Sequence, residues 1–117
     1  LVEGVMGLFD GAEPESDVGS TAEIARWLEA PVVLVADASG LSRSLAALAA
    51  GFADFDPRLE LVGVLANRLG SARHLELLRR ACTRPPVLGG LPRDSEGAFA
   101  ARHLGLTRAD AESLGEP

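Results

Sequence analysis

Pro31-Val32-Val33-Leu34-Val35-Ala36-Asp37-Ala38-Ser39-Gly40 is the stretch on which the fold turns. From Pro31 to Ala38 the run is apolar except for Asp37, and it is continuous rather than alternating. Continuous Val/Leu runs suit strands covered on both faces, the habit of parallel sheets. The run then ends in a carboxylate, a hydroxyl and a glycine. Ligands of open α/β sheets bind beyond the carboxyl ends of the strands, so this ending is where chemistry is expected.

Working outward, three more short apolar runs occur at Leu1–Val5, Leu61–Ala66 and Pro86–Leu91. Helical patterns separate them. Ser20-Thr21-Ala22-Glu23 reads as a capping box opening a helix through Glu29, with Ile24, Trp27 and Leu28 on one face. Ser42 to Phe55 carries Leu45, Leu48 and Phe52 at helical spacing, and Ser71 to Cys82 turns Leu75, Leu78 and Cys82 inward. Two shorter helices are expected at Asp94–Arg102 and Thr107–Leu114. The alternation predicts an α/β fold: an open, mainly parallel sheet with helices on both faces. There is no repeat and no low-complexity tract. The long polar connection from Asp10 to Gly19 holds four acids and a proline, and a loop of that length is usually functional or mobile.

Composition narrows the function classes. The chain has 117 residues, 47% hydrophobic and 24% charged, with a net charge of −6. That is one globular domain's worth of chain. An acidic chain without a basic cluster argues against nucleic acid and anionic membranes as partners. All 11 basic residues are arginine, which excludes a lysine nucleophile and a complete Walker A motif within these residues. Cys82 is the single cysteine, so no internal disulfide forms. No apolar run approaches a membrane span and no signal peptide is visible, so a cytoplasmic setting is expected. The start at Leu1, with the only methionine at Met6, reads as part of a longer chain.

Four segments follow the apolar runs, and each has a functional and a plain reading. Glu3, followed by Gly4, Gly7, Asp10 and Gly11, suits a carboxylate holding hydrated Mg²⁺ beside a phosphate; it also suits a solvated strand end and a turn. Asp37 and Ser39 suit orientation of a substrate group, or simply a cap for the next helix. Asn67 offers a donor and an acceptor matching adenine, with Arg68 to neutralise an anion; the alternative is an asparagine turn. Gly89-Gly90-Leu91-Pro92-Arg93-Asp94 suits a backbone passing close to something flat, or a strand-ending turn. His74, between Arg73 and Glu76, reads as a surface residue, and two separated histidines, His74 and His103, lack ligand spacing. Cys82 reads as core.

These blocks resemble the cobyrinate and hydrogenobyrinate a,c-diamide synthases. Val-Glu-Gly-Val-Met-Gly-Leu-Phe-Asp-Gly at 2–11 is similar to the family's signature, and Ser-Thr-Ala-Glu-Ile-Ala at 20–25 to its next helix. Val-Val-Leu-Val-Ala-Asp-Ala-Ser-Gly at 32–40, Gly-Val-Leu-Ala-Asn-Arg at 63–68, Leu-Pro-Arg-Asp at 91–94 and Arg-His-Leu-Gly-Leu at 102–106 follow in the family's order. The resemblance implies a dethiobiotin synthetase-like fold of the P-loop nucleotide-binding class. It implies residues 1–117 are the C-terminal portion of one synthetase domain, without the upstream P-loop segment and the downstream glutaminase domain. It further implies an ATP- and Mg²⁺-dependent amidoligase that turns the a and c carboxylates of a corrin acid into amides through acyl phosphates, using glutamine-derived ammonia.

By the same resemblance Glu3 is the Mg²⁺ or phosphate-side carboxylate and Asp10 the catalytic carboxylate. Asn67, Arg68 and Pro92 line the nucleotide. Asp37, Ser39 and Arg43 lie nearer the substrate. A piece without its first strand is expected to be inactive by itself and to expose a sheet edge that favours association, including with a second copy. Two other readings stay open: an amidoligase for another tetrapyrrole acid, and a truncated paralogue acting as a binding module without catalysis.

Overall fold

The structure, a computed structural model, describes residues 1–93. The expected helices at 94–102 and 107–114, the cap at Asp94, and His103 with its block at 102–106 lie outside the described residues. The element order is α1 (Thr21–Leu28), β1 (Val32–Asp37), α2 (Arg43–Phe55), β2 (Leu61–Leu69), α3 (Ala72–Ala81) and β3 (Val87–Pro92). The strands lie in the order β1-β2-β3, both pairs parallel. Parallel neighbours need a crossover, and α2 and α3 supply it.

Local chemistry sets the helix bounds. Ser20 caps α1, its hydroxyl oxygen accepting from the Glu23 N–H at 3.1 Å. The expected capping box closes one residue further out, because Glu23 Oε1 accepts from the Gly19 N–H at 3.1 Å while the Ser20 N–H goes to the Asp17 carbonyl. Helix α1 ends at Glu29, whose left-handed backbone (φ 51°) turns its N–H onto the Ala25 and Arg26 carbonyls. In α3, Ser71 likewise accepts from the His74 N–H at 3.1 Å.

One face of the sheet carries the main core. Ala36, Val64, Ala66 and Val87 from the strands meet Leu45 and Ala49 of α2, Leu78 of α3 and Cys82 at its C-cap, all buried. The inward reading of Leu78 and Cys82 therefore holds, and burial pushes the Cys82 thiol pKa up. Leu48 is exposed, and the small Ala49 takes the contact instead. On the opposite face Val33, Val35, Leu65 and Leu88 are exposed, so among the described residues helices cover one face of the two expected. Leu88 bends over Gly63 there, in the space a β-carbon would fill.

Two expectations are corrected. Leu1–Val5 forms no strand, and Leu1, Val2 and Val5 are exposed. A strand needs a paired neighbour, and here Gly4 is drawn against Thr21 at the start of α1, where a β-carbon would lie 2.6 Å from the threonine hydroxyl oxygen. The apolar stripe Ile24, Trp27 and Leu28 is also exposed, and α1 packs through Ala22 and Ala25. Those alanines join Leu8, Phe9, Leu59, Val32, Leu61 and Phe52 in a second cluster at the amino ends of β1 and β2.

Candidate functional site

The carboxyl ends of the three strands make one polar edge. Asp37 pairs in register with Asn67, and Leu69 with Pro92. Between Ala66 and Leu69 the register slips: Ala66 faces Gly90 and Leu69 faces Pro92, so Asn67 and Arg68 together oppose Leu91. Such a bulge re-aims side chains at a strand's end. Arg68 takes up the extra length in the left-handed region, at φ 63°, a conformation costing a non-glycine residue roughly 1 kcal/mol. Its N–H is held by Asn67 Oδ1 at 3.0 Å. That leaves the Asn67 Nδ2 donors without a hydrogen-bond partner among the described residues.

Two arginine arms span the edge. Arg68 Nη1 donates to Asp37 Oδ2 at 3.3 Å. Arg93 Nη2 donates to the Ser39 hydroxyl at 3.3 Å, while the Arg93 backbone N–H donates to the Leu69 carbonyl at 2.8 Å. Asp37 Oδ1 meanwhile accepts from the Ser39 N–H at 3.0 Å, an Asx turn that Gly40 completes at φ 71°. The chain then enters α2 at Arg43, and Ser42 makes no side-chain cap bond there.

Among the described residues the edge thus combines Arg68 and Arg93 with one carboxylate, Asp37, and Arg43 follows at the start of α2. Asp37 and Arg68 are 55% and 56% exposed, so their pairing is worth little in water and can be traded for another anion. An uncapped helix start adds backbone N–H groups of the same polarity. Chemically, this is an open seat for a phosphate or carboxylate, with Asn67 beside it for a polar ring edge.

Asp37, Ser39, Arg43, Asn67, Arg68 and Pro92 are therefore gathered on this edge. Glu3 and Asp10 are not. The Leu8–Phe9 step belongs to the cluster at the amino ends of the strands. Phe9 stacks on Phe52, with centroids 5.6 Å apart, and tilts against Phe55 at 4.6 Å. Glu3 and Asp10 are exposed, and neither carboxylate bonds to a described residue. The Asp10 carboxylate folds back over Gly7 into the space a β-carbon would need. Among the described residues no three His, Cys, Asp or Glu side chains cluster to hold a metal.

The amino end has charge chemistry of another kind. Asp56 accepts both Nε and Nη2 of Arg58 at 2.9 Å, and Asp17 accepts from Arg26 and, at 3.3 Å, from Arg58. The Arg26 hydrogen bond holds the Asp17 carboxyl below the usual range, and the Arg58 hydrogen bond does the same for Asp56. Arg58 in turn is raised by Asp56. These pairs pin the acidic connection, which the Ala12 N–H to Val18 carbonyl bond closes at 2.8 Å. The long loop is thus anchored, with its Asp17 holding two arginines and its Gly19 N–H held by Glu23 of α1.

Sequence reading passed over two residues of the edge. Arg93 carries no local signal of its role, and only the β3 register brings it to Ser39. His74 reads as surface among charged neighbours, yet it is half-buried, with Nδ1 accepting from the Gly70 N–H at 3.1 Å and Nε2 meeting the Leu41 carbonyl at 2.6 Å. The available signal was the shared pattern Gly-Ser-x-x-Glu at 19–23 and Gly-Ser-x-x-His at 70–74.

Comparison with known proteins adds to this geometry. The chain is 58% identical over 97% of its length to a cobyrinate a,c-diamide synthase of Syntrophotalea carbinolica, covering 26% of that protein. It is 50% identical over 99% of its length to the protein of the same name from Leptospira interrogans, again covering 26%. A hydrogenobyrinate a,c-diamide synthase of Streptomyces coelicolor is 52% identical over 91% of the chain and is covered for 22%. The chain spans about a quarter of the length of these relatives. No family model and no solved structure matches it.

Proposed function

Because the chain belongs to the cobyrinate and hydrogenobyrinate a,c-diamide synthase family as a segment of it, we propose that it supplies part of the synthetase domain of an ATP- and glutamine-dependent amidoligase of cobalamin biosynthesis. The observation that carries this is the 58% identity to a named synthase over 97% of the chain. In the proposed reaction a corrin carboxylate oxygen attacks the γ-phosphorus of ATP, ADP leaves, and an acyl phosphate results. Ammonia from a glutaminase domain elsewhere in the longer protein then attacks the acyl carbon, phosphate departs, and the nitrogen loses a proton to give the amide.

Bringing a carboxylate to a triphosphate sets two anions together, so positive groups must lie between them. Arg68, Arg93 and Arg43 on the carboxyl edge suit that need. Asn67, whose Nδ2 donors have no partner among the described residues and whose Oδ1 keeps a second lone pair, suits the adenine edge, and Pro92 suits the wall beside it. Asp37 and Ser39 would release their arginines as substrate arrives. Glu3 and Asp10 lie off this edge in the described residues, and their roles as Mg²⁺ ligand and catalytic carboxylate are what the resemblance implies. Their support is that both carboxylates are exposed and engaged in no structural bond to the described residues. The described residues build no metal centre, and a Mg²⁺ ion would have Glu3 as its one ligand from the first segment.

The test is turnover by the whole protein. With MgATP, glutamine and cobyrinic or hydrogenobyrinic acid, it should yield the diamide with ADP and phosphate, and Asp10→Asn should abolish the amide product. ATP-dependent amidation confined to a different tetrapyrrole acid would move the substrate assignment. No nucleotide binding by the whole protein would favour the non-catalytic paralogue.

A further inference from the structure

The two capped helices offer a comparison within one chain. In α1 the third helical residue, Glu23, accepts from the N–H of the glycine before the cap, at 3.1 Å. In α3 the third helical residue, His74, does the same at 3.1 Å, and the capping serines match as well. An acceptor is all that this position requires, and a carboxylate provides it in α1. The imidazole provides it with Nδ1, which makes Nε2 the protonated nitrogen of the neutral ring, and Nε2–H points to the Leu41 carbonyl at 2.6 Å. No ion pair to a described residue involves this ring, so its two bonds define its setting.

We propose that His74 is a positioning residue that ties the β1–α2 loop, through Leu41, to the β2–α3 turn, through Gly70, and so fixes Ser39 and Arg43 relative to Asn67 and Arg68. Leu41 lies two residues after Ser39 and two before Arg43. The loop's other restraints are the Asp37–Ser39 turn, the Ala38 N–H to Asn67 carbonyl bond at 2.8 Å, the Leu41 N–H to Ala38 carbonyl bond at 2.9 Å, and the exposed Arg68–Asp37 and Arg93–Ser39 contacts, none of which reaches from residues 40–43 to another element. The His74 bond is thus the half-buried strut between two loops of the candidate site. Its role in catalysis rests on the reading proposed above; the strut itself does not.

Substitutions in the whole protein separate the strut from the cap. His74→Glu copies the α1 arrangement, keeping an acceptor for Gly70 and losing the donor to Leu41. His74→Gln restores a donor at the reach of Nε2. Loss of one such bond should speed hydrogen exchange of amides 38–43 about fivefold in His74→Glu, with His74→Gln near the parent and the thermal midpoint unmoved in both. Selective ¹⁵N-histidine spectra should show the Nε2–H tautomer in a signal that both variants lack. In turnover, His74→Glu should raise KM for the corrin acid about fivefold with KM for ATP little changed. Unchanged exchange at 38–43 in His74→Glu, or an Nδ1–H tautomer, would overturn the proposal, whether or not the protein turns over. A parent protein without amidation would instead count against the proposed function, and the exchange and tautomer readouts would still decide the strut.

Discussion

The two ends of the sheet use the same kinds of residue in opposite ways. At the amino end, Arg58 grips Asp56 with two bonds of 2.9 Å, and the Asp56 side chain is only 10% exposed. At the carboxyl end, Arg68 and Asp37 share one contact of 3.3 Å and are both more than half exposed. The amino-end pairs sit beside a cluster of Leu8, Phe9, Phe52 and Leu59 and close a loop. The carboxyl-end pair sits on a bulge, with Arg68 held in the left-handed region. Short bidentate pairs on a buried carboxylate fix a structure even though Arg58, 57% exposed, is as wet as Arg68, whereas long single pairs on a strained backbone are easily exchanged for a ligand. The charge at one end is a lock and at the other a seat.

Breaking the lock should have the larger effect on stability. Leu8→Ala removes a buried side chain and should destabilise the amino end by about 3 kcal/mol, read as faster hydrogen exchange over α1 and residues 52–61, with nucleotide affinity retained. The seat should respond in the reverse manner. Arg68→Gly keeps the left-handed backbone without its cost and removes the guanidinium. It should weaken binding of MgATP or corrin acid by about tenfold while leaving the unfolding midpoint unchanged or slightly raised. A drop in stability with unchanged affinity would reverse the assignment.

Asp56→Asn should lower the unfolding midpoint less than Leu8→Ala, and Asp37→Asn should lower it least, because exposed pairs contribute little. The smallest effect is acid dependence. Asp17 and Asp56 titrate below their usual value of 3.8 in the folded chain. Their contribution is full above that value and is lost as pH falls through the lower folded values. Denaturant midpoints taken at neutral pH and near pH 3 should converge between parent and Asp56→Asn at the acid end.

Most of this fold was legible because local signals carry it. The continuous run at 32–37, the serine cap at Ser20 and the inward Leu78 and Cys82 depend on near neighbours in the chain, and all appear. Leu1–Val5 failed as a strand because pairing is not local: an apolar run becomes a strand only beside a partner. Ile24, Trp27 and Leu28 misled for a related reason, since helical periodicity identifies an apolar face without saying what covers it. In the candidate site, Asp37, Ser39, Asn67, Arg68 and Pro92 were legible from the rule that strand ends bind ligands. Arg93 and His74 were not, because their partners, Ser39 and Leu41, lie 54 and 33 residues away in sequence. Register slips such as the one at Asn67–Arg68 depend on how two strands meet.

The division between lock and seat is tested most directly by hydrogen exchange on the whole protein with and without MgATP and corrin acid. The account predicts that ligands protect residues 37–43 and 66–70 and leave residues 52–61 unchanged. Protection at 52–61 with none at the carboxyl edge would contradict it.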